Sequence, residues 1–108
     1  MEKSVITIEQ FEKLYDLNQS YISEVEYKNN NLRIKTISTI KQEFIANGYR
    51  ENFEYDVIDT FIFKGLEIKD KITSINKIEV QNGLLVVNNG KEYITKVKEI
   101  EHIKEYEE

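Results

Sequence analysis

The stretch NFEYDVIDTFIFKG, residues 52–65, decides the fold. Phe53, Tyr55, Val57, Phe61 and Phe63 recur at every second position and so share one face of an extended strand, where aromatic and β-branched side chains pack well. Gly65 ends the run. Asp59 falls on that same face, where a lone carboxylate among Val57, Phe61 and Phe63 is costly. It must pair with a buried base or be turned outward by a bulge, and the bulge is the expected solution.

Downstream, Leu66, Ile68 and Ile72 alternate with Glu67, Lys69, Lys71 and Thr73, which predicts a second strand after a tight connection. Ile75, Ile78 and Val80 lead to Asn82-Gly83, and Leu84 to Val87 lead to Asn89-Gly90. Asn-Gly between apolar runs is the strongest short hairpin signal, because both turn positions need positive φ, and a meander is predicted. Leu84 to Val87 is apolar on both faces and belongs mid-sheet; Tyr93 to Val97 supplies the next strand. For residues 99–108 two readings stand: a short terminal helix lined by Ile100, Ile103 and Tyr106, or a frayed acidic tail.

Upstream, Thr7 and Gln10 have the form of a capping box, with Ile8, Phe11, Leu14 and Tyr15 at helical spacing behind it. A helix from about Ile8 to Leu17 is predicted, and its single apolar stripe must cover a partner surface, most simply a sheet. Tyr21, Val25 and Tyr27 alternate with Glu24, Glu26 and Lys28, interrupted by Ile22, and Leu32 to Ile37 resume after Asn29-Asn30-Asn31, a hairpin signature with a basic second arm. Thr39 and Gln42 repeat the capping-box form, and Ile40, Phe44 and Ile45 precede Asn47-Gly48. A short second helix is expected there, with a continued strand as the competing reading.

The 108 residues carry 20 acidic and 15 basic side chains, no cysteine, no proline, no tryptophan and one histidine. A disulfide framework, a thiolate metal site and a His-rich zinc centre are therefore excluded. No apolar run approaches the length of a membrane span and no secretory signal is visible, so the expected location is cytoplasmic. A single domain spanning residues 1–108 is expected. The prevalence of Ile, Lys, Asn and Glu, beside one alanine and two arginines, is what an AT-rich coding sequence gives, and suggests a low-GC bacterium or one of its mobile elements. Charge alternates in blocks, with balances of −4, +4, −4, +3 and −4 over residues 1–27, 28–50, 51–68, 69–98 and 99–108, as expected of neighbouring elements that complement one another.

Catalytic chemistry finds little footing. His102, the one base that titrates near neutrality, lies in the charged terminal segment and is expected at the surface or rim; no serine sits in a nucleophile turn. Gly48, Gly65, Gly83 and Gly90 are too scattered for a phosphate loop. Glu51, Glu54, Asp56 and Asp59 form the densest acid cluster, but without a calcium-loop pattern they read as a solvated face, and neither metal nor cofactor is expected.

Binding fits better, because twelve aromatics, seven of them tyrosines, exceed what a core of this size needs. Tyr21, Tyr27, Tyr49 and Tyr55 with Glu51, Glu54 and Asp56 are the expected protein-contact surface. These acids, with Glu99, Glu101, Glu105, Glu107 and Glu108, could imitate a phosphate row and occupy the basic groove of a nucleic-acid-handling protein. Phage-encoded inhibitors, some anti-CRISPR proteins among them, are similar in size and acidity. Two alternatives remain open. Lys28, Arg33, Lys35 and Lys41 could bind nucleic acid directly, and open sheet edges could pair in a homodimer.

In its apolar spacing alone, the last third (Ile72, Ile75, Ile78, Leu84, Val86, Ile94, Ile100, Ile103) resembles the end of YolD-like proteins and of SH3-like barrels, a likeness that carries no functional residue. The expected fold is α+β: an antiparallel sheet of five or six strands, a meander able to curl toward a partly open barrel, covered by the N-terminal helix. The expected function is that of a small, non-enzymatic binding or regulatory protein.

Overall fold

A computed structural model describes residues 1–107 and shows an α+β fold made of two antiparallel sheets. The chain runs β1 (Glu2–Ile6), α1 (Ile8–Leu14), a 3₁₀ turn (Leu17–Gln19), β2 (Tyr21–Lys28), β3 (Asn31–Ala46), β4 (Tyr49–Lys64), β5 (Lys77–Gln81), β6 (Leu84–Asn88), β7 (Glu92–Thr95) and β8 (Glu99–Glu107). The larger sheet has the order β1-β8-β4-β3-β2 and the smaller β5-β6-β7; neither closes into a barrel.

The long β3–β4 hairpin organises everything else. Its register is unbroken from Leu32 opposite Phe63 to Ala46 opposite Tyr49, so even-numbered residues of β3 share a face with odd-numbered residues of β4. On that face Leu32, Ile34, Phe61 and Phe63 are fully buried. α1 presses Phe11 edge-on against Phe61 and Phe63, at 5.4 and 5.1 Å between ring centroids. Leu85 and Val87 of the smaller sheet join the same core, each full burial contributing roughly 1.5–3 kcal/mol.

The capping box forms as the sequence predicts: the Gln10 N–H donates to Thr7 Oγ1 at 3.1 Å and the Thr7 N–H to Gln10 Oε1 at 2.9 Å. The helix it starts is shorter than expected, ending at Leu14, because Tyr15 turns extended and a separate 3₁₀ turn follows. In β2 a bulge between Ile22 and Glu24 resolves the interrupted alternation. It points Ile22, Val25 and Tyr27 inward and leaves Tyr21, opposite Ile37, on the outer face. The Asn29-Asn30 turn has positive φ at both residues, as does Asn82-Gly83, which joins β5 to β6. β6 occupies the middle of its three-stranded sheet.

Four sequence expectations are corrected. The second helix near Ile40–Ile45 is absent, because β3 continues as a strand to Ala46 and turns at Asn47-Gly48. Leu66, Ile68 and Ile72 do not lie on a strand; they belong to an extended segment without ladder bonds that plugs the core between the sheets. Asp70 of that segment accepts from the Tyr93 hydroxyl at 2.8 Å and from Lys91 at 3.0 Å, which ties it to β7. Residues Glu99–Glu107 are neither helix nor frayed tail but β8, between β1 and β4, with Ile100 fully buried; Glu108 lies outside the described residues. Finally, no bulge turns Asp59 outward: β4 is regular there.

Gly65 shows why the chain needs glycine where β4 ends. Its φ is +74°, and a Cβ there would stand 2.6 Å from the Lys98 side chain. The radius of gyration is 16.5 Å, against about 13 Å for a compact chain of this length. The excess comes from the distal half of the β3–β4 hairpin, which leaves the body of the molecule altogether.

Because β8 is central to the sheet, Ile100→Ala is expected to lower unfolding free energy by about 2–5 kcal/mol in urea titrations. Amides of β8 should exchange as slowly as those around Phe61. Rapid exchange throughout residues 99–107 would identify a tail.

Candidate protein-binding interface

Two polar clusters, one buried and one at the surface, hold the base of the hairpin. Asp59 Oδ1 lies 2.7 Å from His102 Nε2, and His102 Nδ1 lies 3.2 Å from the Tyr15 hydroxyl. A neutral imidazole satisfies both neighbours, with Nε2–H donating to the carboxylate and Nδ1 accepting from the phenol. The His102 ring stacks on Phe61 at 4.6 Å and is only 6% exposed, so the histidine expected at the rim is a core residue. It is also the buried partner that Asp59 requires. Burial raises the Tyr15 hydroxyl above the usual phenol range, Lys104 pulls it down and Asp59 adds to the rise.

On the opposite face of the sheet Glu101 is held between Lys3 and Lys64, each 2.8 Å away. Hydrogen bonds from these two ammonium groups keep its carboxyl below the usual range, against a smaller desolvation effect. The pair of bases ties β8 to β1 and to the end of β4. Among the described residues no three His, Asp or Glu side chains gather as a metal-binding group.

Beyond this base the hairpin continues alone. β2 leaves β3 at Ile37, and β8 leaves β4 at Asp56. Among the described residues seven further rungs, Ile40–Tyr55 to Ala46–Tyr49, form a free two-stranded arm about 20 Å long at roughly 3.4 Å between rungs. The arm's inner face prolongs the core face of the sheet but has no lid. It carries Ile40 opposite Tyr55, Gln42 opposite Phe53, Phe44 opposite Glu51 and Ala46 opposite Tyr49. Phe44 is 54% exposed, Phe53 50% and Tyr49 76%. The outer face is mostly polar, with Lys41 opposite Glu54, Glu43 opposite Asn52 and Thr39 opposite Asp56, but it also carries Ile45, 69% exposed, opposite Arg50.

Local contacts keep the arm straight. Asn47 and Gly48 have φ of 53° and 82°, the backbone of a tight hairpin turn. Phe44 and Phe53 meet edge to face at 5.4 Å, Glu43 holds Arg50 at 2.6 Å, and Thr39 donates to Asp56 Oδ1 at 2.8 Å. An isolated two-stranded ribbon is marginal in water, and this arm leaves Phe44, Tyr49 and Phe53 uncovered on its inner face.

The expected contact residues are only partly brought together. Tyr49, Glu51 and Tyr55 share the arm's inner face, while Glu54 and Asp56 lie on its outer face. Tyr21 is exposed on the outer face of the main sheet at the start of β2. Tyr27, partly buried, packs against the core and donates its hydroxyl to the Ile68 carbonyl at 2.7 Å.

Of the basic residues, Arg33 is paired with Glu24 at 3.1 Å, Lys35 stands opposite Glu24 and Lys28 opposite Asn31, whereas Lys41 lies apart from them on the arm. Ile40, Phe44 and Phe53 were not among the expected contact residues. Asn47-Gly48 was the available signal: the same dipeptide that marks the turn at Asn82-Gly83 places these side chains on one face when the pairing is counted outward from it.

Asp59→Ala should leave a buried His102 N–H unpaired and cost about 1–3 kcal/mol in urea titrations, with Asp59→Asn costing less because it keeps an acceptor. Glu101→Gln should be most destabilising relative to the parent at neutral pH. A carboxyl held below its usual pKa contributes fully above the unfolded value, and the contribution is lost as pH falls through the folded value, so the difference should shrink below about pH 4. Searches of family models, curated proteins and solved structures give no match to the chain.

Proposed function

We propose that the protein is a non-enzymatic binding module that engages another protein through the inner face of the β3–β4 arm. The single observation that carries this reading is the uncovered continuation of the core face over Ile40, Phe44, Tyr49, Phe53 and Tyr55. Aromatic side chains give large contact area at low entropic cost, and tyrosine adds a polar tip, which is why such residues anchor interfaces.

Charge describes the partner. From Thr39 to Asp56 the arm has Lys41 and Arg50 against Glu43, Glu51, Glu54 and Asp56, and Glu105 and Glu107 flank its base. A complementary surface is an apolar cleft bordered by basic side chains. The groove of a nucleic-acid-handling protein is a surface of that kind, and an inhibitor that fills it is the reading we favour among regulatory roles.

The test is site-specific photocrosslinking in cells of the source organism, with the photoreactive residue at Phe53 or Tyr49 and, as control, at Lys71 on the exposed side of the core segment. Discrete adducts from the arm positions alone, lost when Phe44 is changed to Ser, are expected. Equal labelling from Lys71, or no adduct from either arm position, would refute the assignment. Salt should weaken the interaction through the acidic flank, and a salt-insensitive adduct would remove the basic border from the partner's description.

A further inference from the structure

We infer that the free edge of β3 pairs with the same edge of a second copy, joining two arms into one four-stranded antiparallel sheet. This concerns the edge of the arm rather than its aromatic face. It rests on the reading of the arm as a contact element and specifies what lies beside it.

Among the described residues the edge from Ser38 to Ala46 has no neighbour, since β2 ends its pairing at Ile37. Edge strands left open in monomers are normally guarded by a proline, a bulge, shortness or charged side chains, and of these guards this edge carries only Lys41 and Glu43, on its outer face. This one is nine residues long, has no proline, and its pairing with β4 runs without a register shift.

The sequence of that edge is self-complementary when read in both directions from Gln42. In STIKQEFIA, residues 38–46, a two-fold axis through Gln42 sets Lys41 opposite Glu43 of the second copy and Ile40 opposite Phe44 of the second copy. Thr39 then faces Ile45 of the second copy. Each relation occurs twice by symmetry, so two oppositely charged pairs form on the outer face and two apolar pairs on the inner face.

Shifting the axis by one residue, to Glu43, sets that acid against itself. The register is therefore specified by charge as well as by apolar matching. The other edge of the arm, Tyr49 to Tyr55, offers a poorer match: the same operation about Asn52 pairs Arg50 with Glu54 but sets Glu51 opposite Phe53.

Pairing at the β3 edge leaves the inner aromatic face open and doubles it. Two copies then present one continuous face carrying both sets of Ile40, Phe44, Phe53 and Tyr55, wide enough to bind a partner as a surface rather than as a ribbon.

Sedimentation velocity across a concentration series, with the full chain, tests the pairing. The parent protein is expected at twice the 12.8 kDa chain mass. Lys41→Glu and Glu43→Lys each set like charges opposite one another twice and should raise the dissociation constant about tenfold or more. An equimolar mixture of these two variants should regain the dimer, because each supplies what the other lacks, and the doubly reversed variant should dimerise alone. That rescue separates a lost contact from a lost fold.

The chain has no cysteine, so Gln42→Cys, at a position that faces itself across the axis, should form an intermolecular disulfide on mild oxidation. Asn52→Cys, on the other edge, should not. A monomeric parent, single variants that remain dimeric, a mixture that stays monomeric, or crosslinking through Asn52→Cys instead would each overturn the inference. In all four cases the arm-directed crosslinks to another protein would be unaffected, so failure here is distinct from failure of the binding role.

Discussion

The unbroken pairing of β3 with β4 is the constraint on which the rest of the molecule depends. Without a bulge along its length, one alternation of side chains runs from Phe63 and Leu32 at the base to Tyr49 and Ala46 at the tip. The same periodicity that places Phe61 under Phe11 therefore places Phe53 in solvent. A strand cannot change its inward face without an irregularity, so a hairpin that outgrows its body carries core chemistry outward. The exposed aromatic face is a direct consequence of length and register.

That continuity also explains Asp59. An acid on the core face is tolerable only with a hydrogen-bonded partner, and β8 supplies His102 two rungs from where Asp59 sits opposite Lys104. With Tyr15 beyond the imidazole, the polar line joins the helix end, β4 and β8. Together with the Lys3–Glu101–Lys64 cluster on the other face, it anchors the hairpin where leverage from the arm is greatest.

Much of this was legible in local sequence. Thr7 and Gln10 marked the helix start because a capping box is satisfied within four residues, and Asn82-Gly83 marked its turn because its backbone demands are equally local. The failures share a physical cause, which is that their determinants are distant. Phe44 and Ile45 fit a helix as well as a strand until β4 is known to lie alongside. Ile100, Ile103 and Tyr106 have helical-looking spacing, yet Ile100 faces the core and Ile103 the outer face of a strand whose position is set by β1 and β4. Asp59 and His102, 43 positions apart, each look anomalous alone and explain one another only when paired. For the candidate site, the tyrosines were visible but their division between faces was not, because the bulge in β2 and the length of the hairpin decide it.

The strand order has a further consequence for synthesis. β8 lies between β1 and β4, so Glu2 finds its partner only when Lys104 has emerged. Until then β1 has no ladder and β4 shows an open edge along the half of its length that will hold the core. Long-range pairing of this kind slows folding and leaves nascent chains exposed to one another. The arm, whose pairing is local, would be complete while the body beneath it is still unfinished.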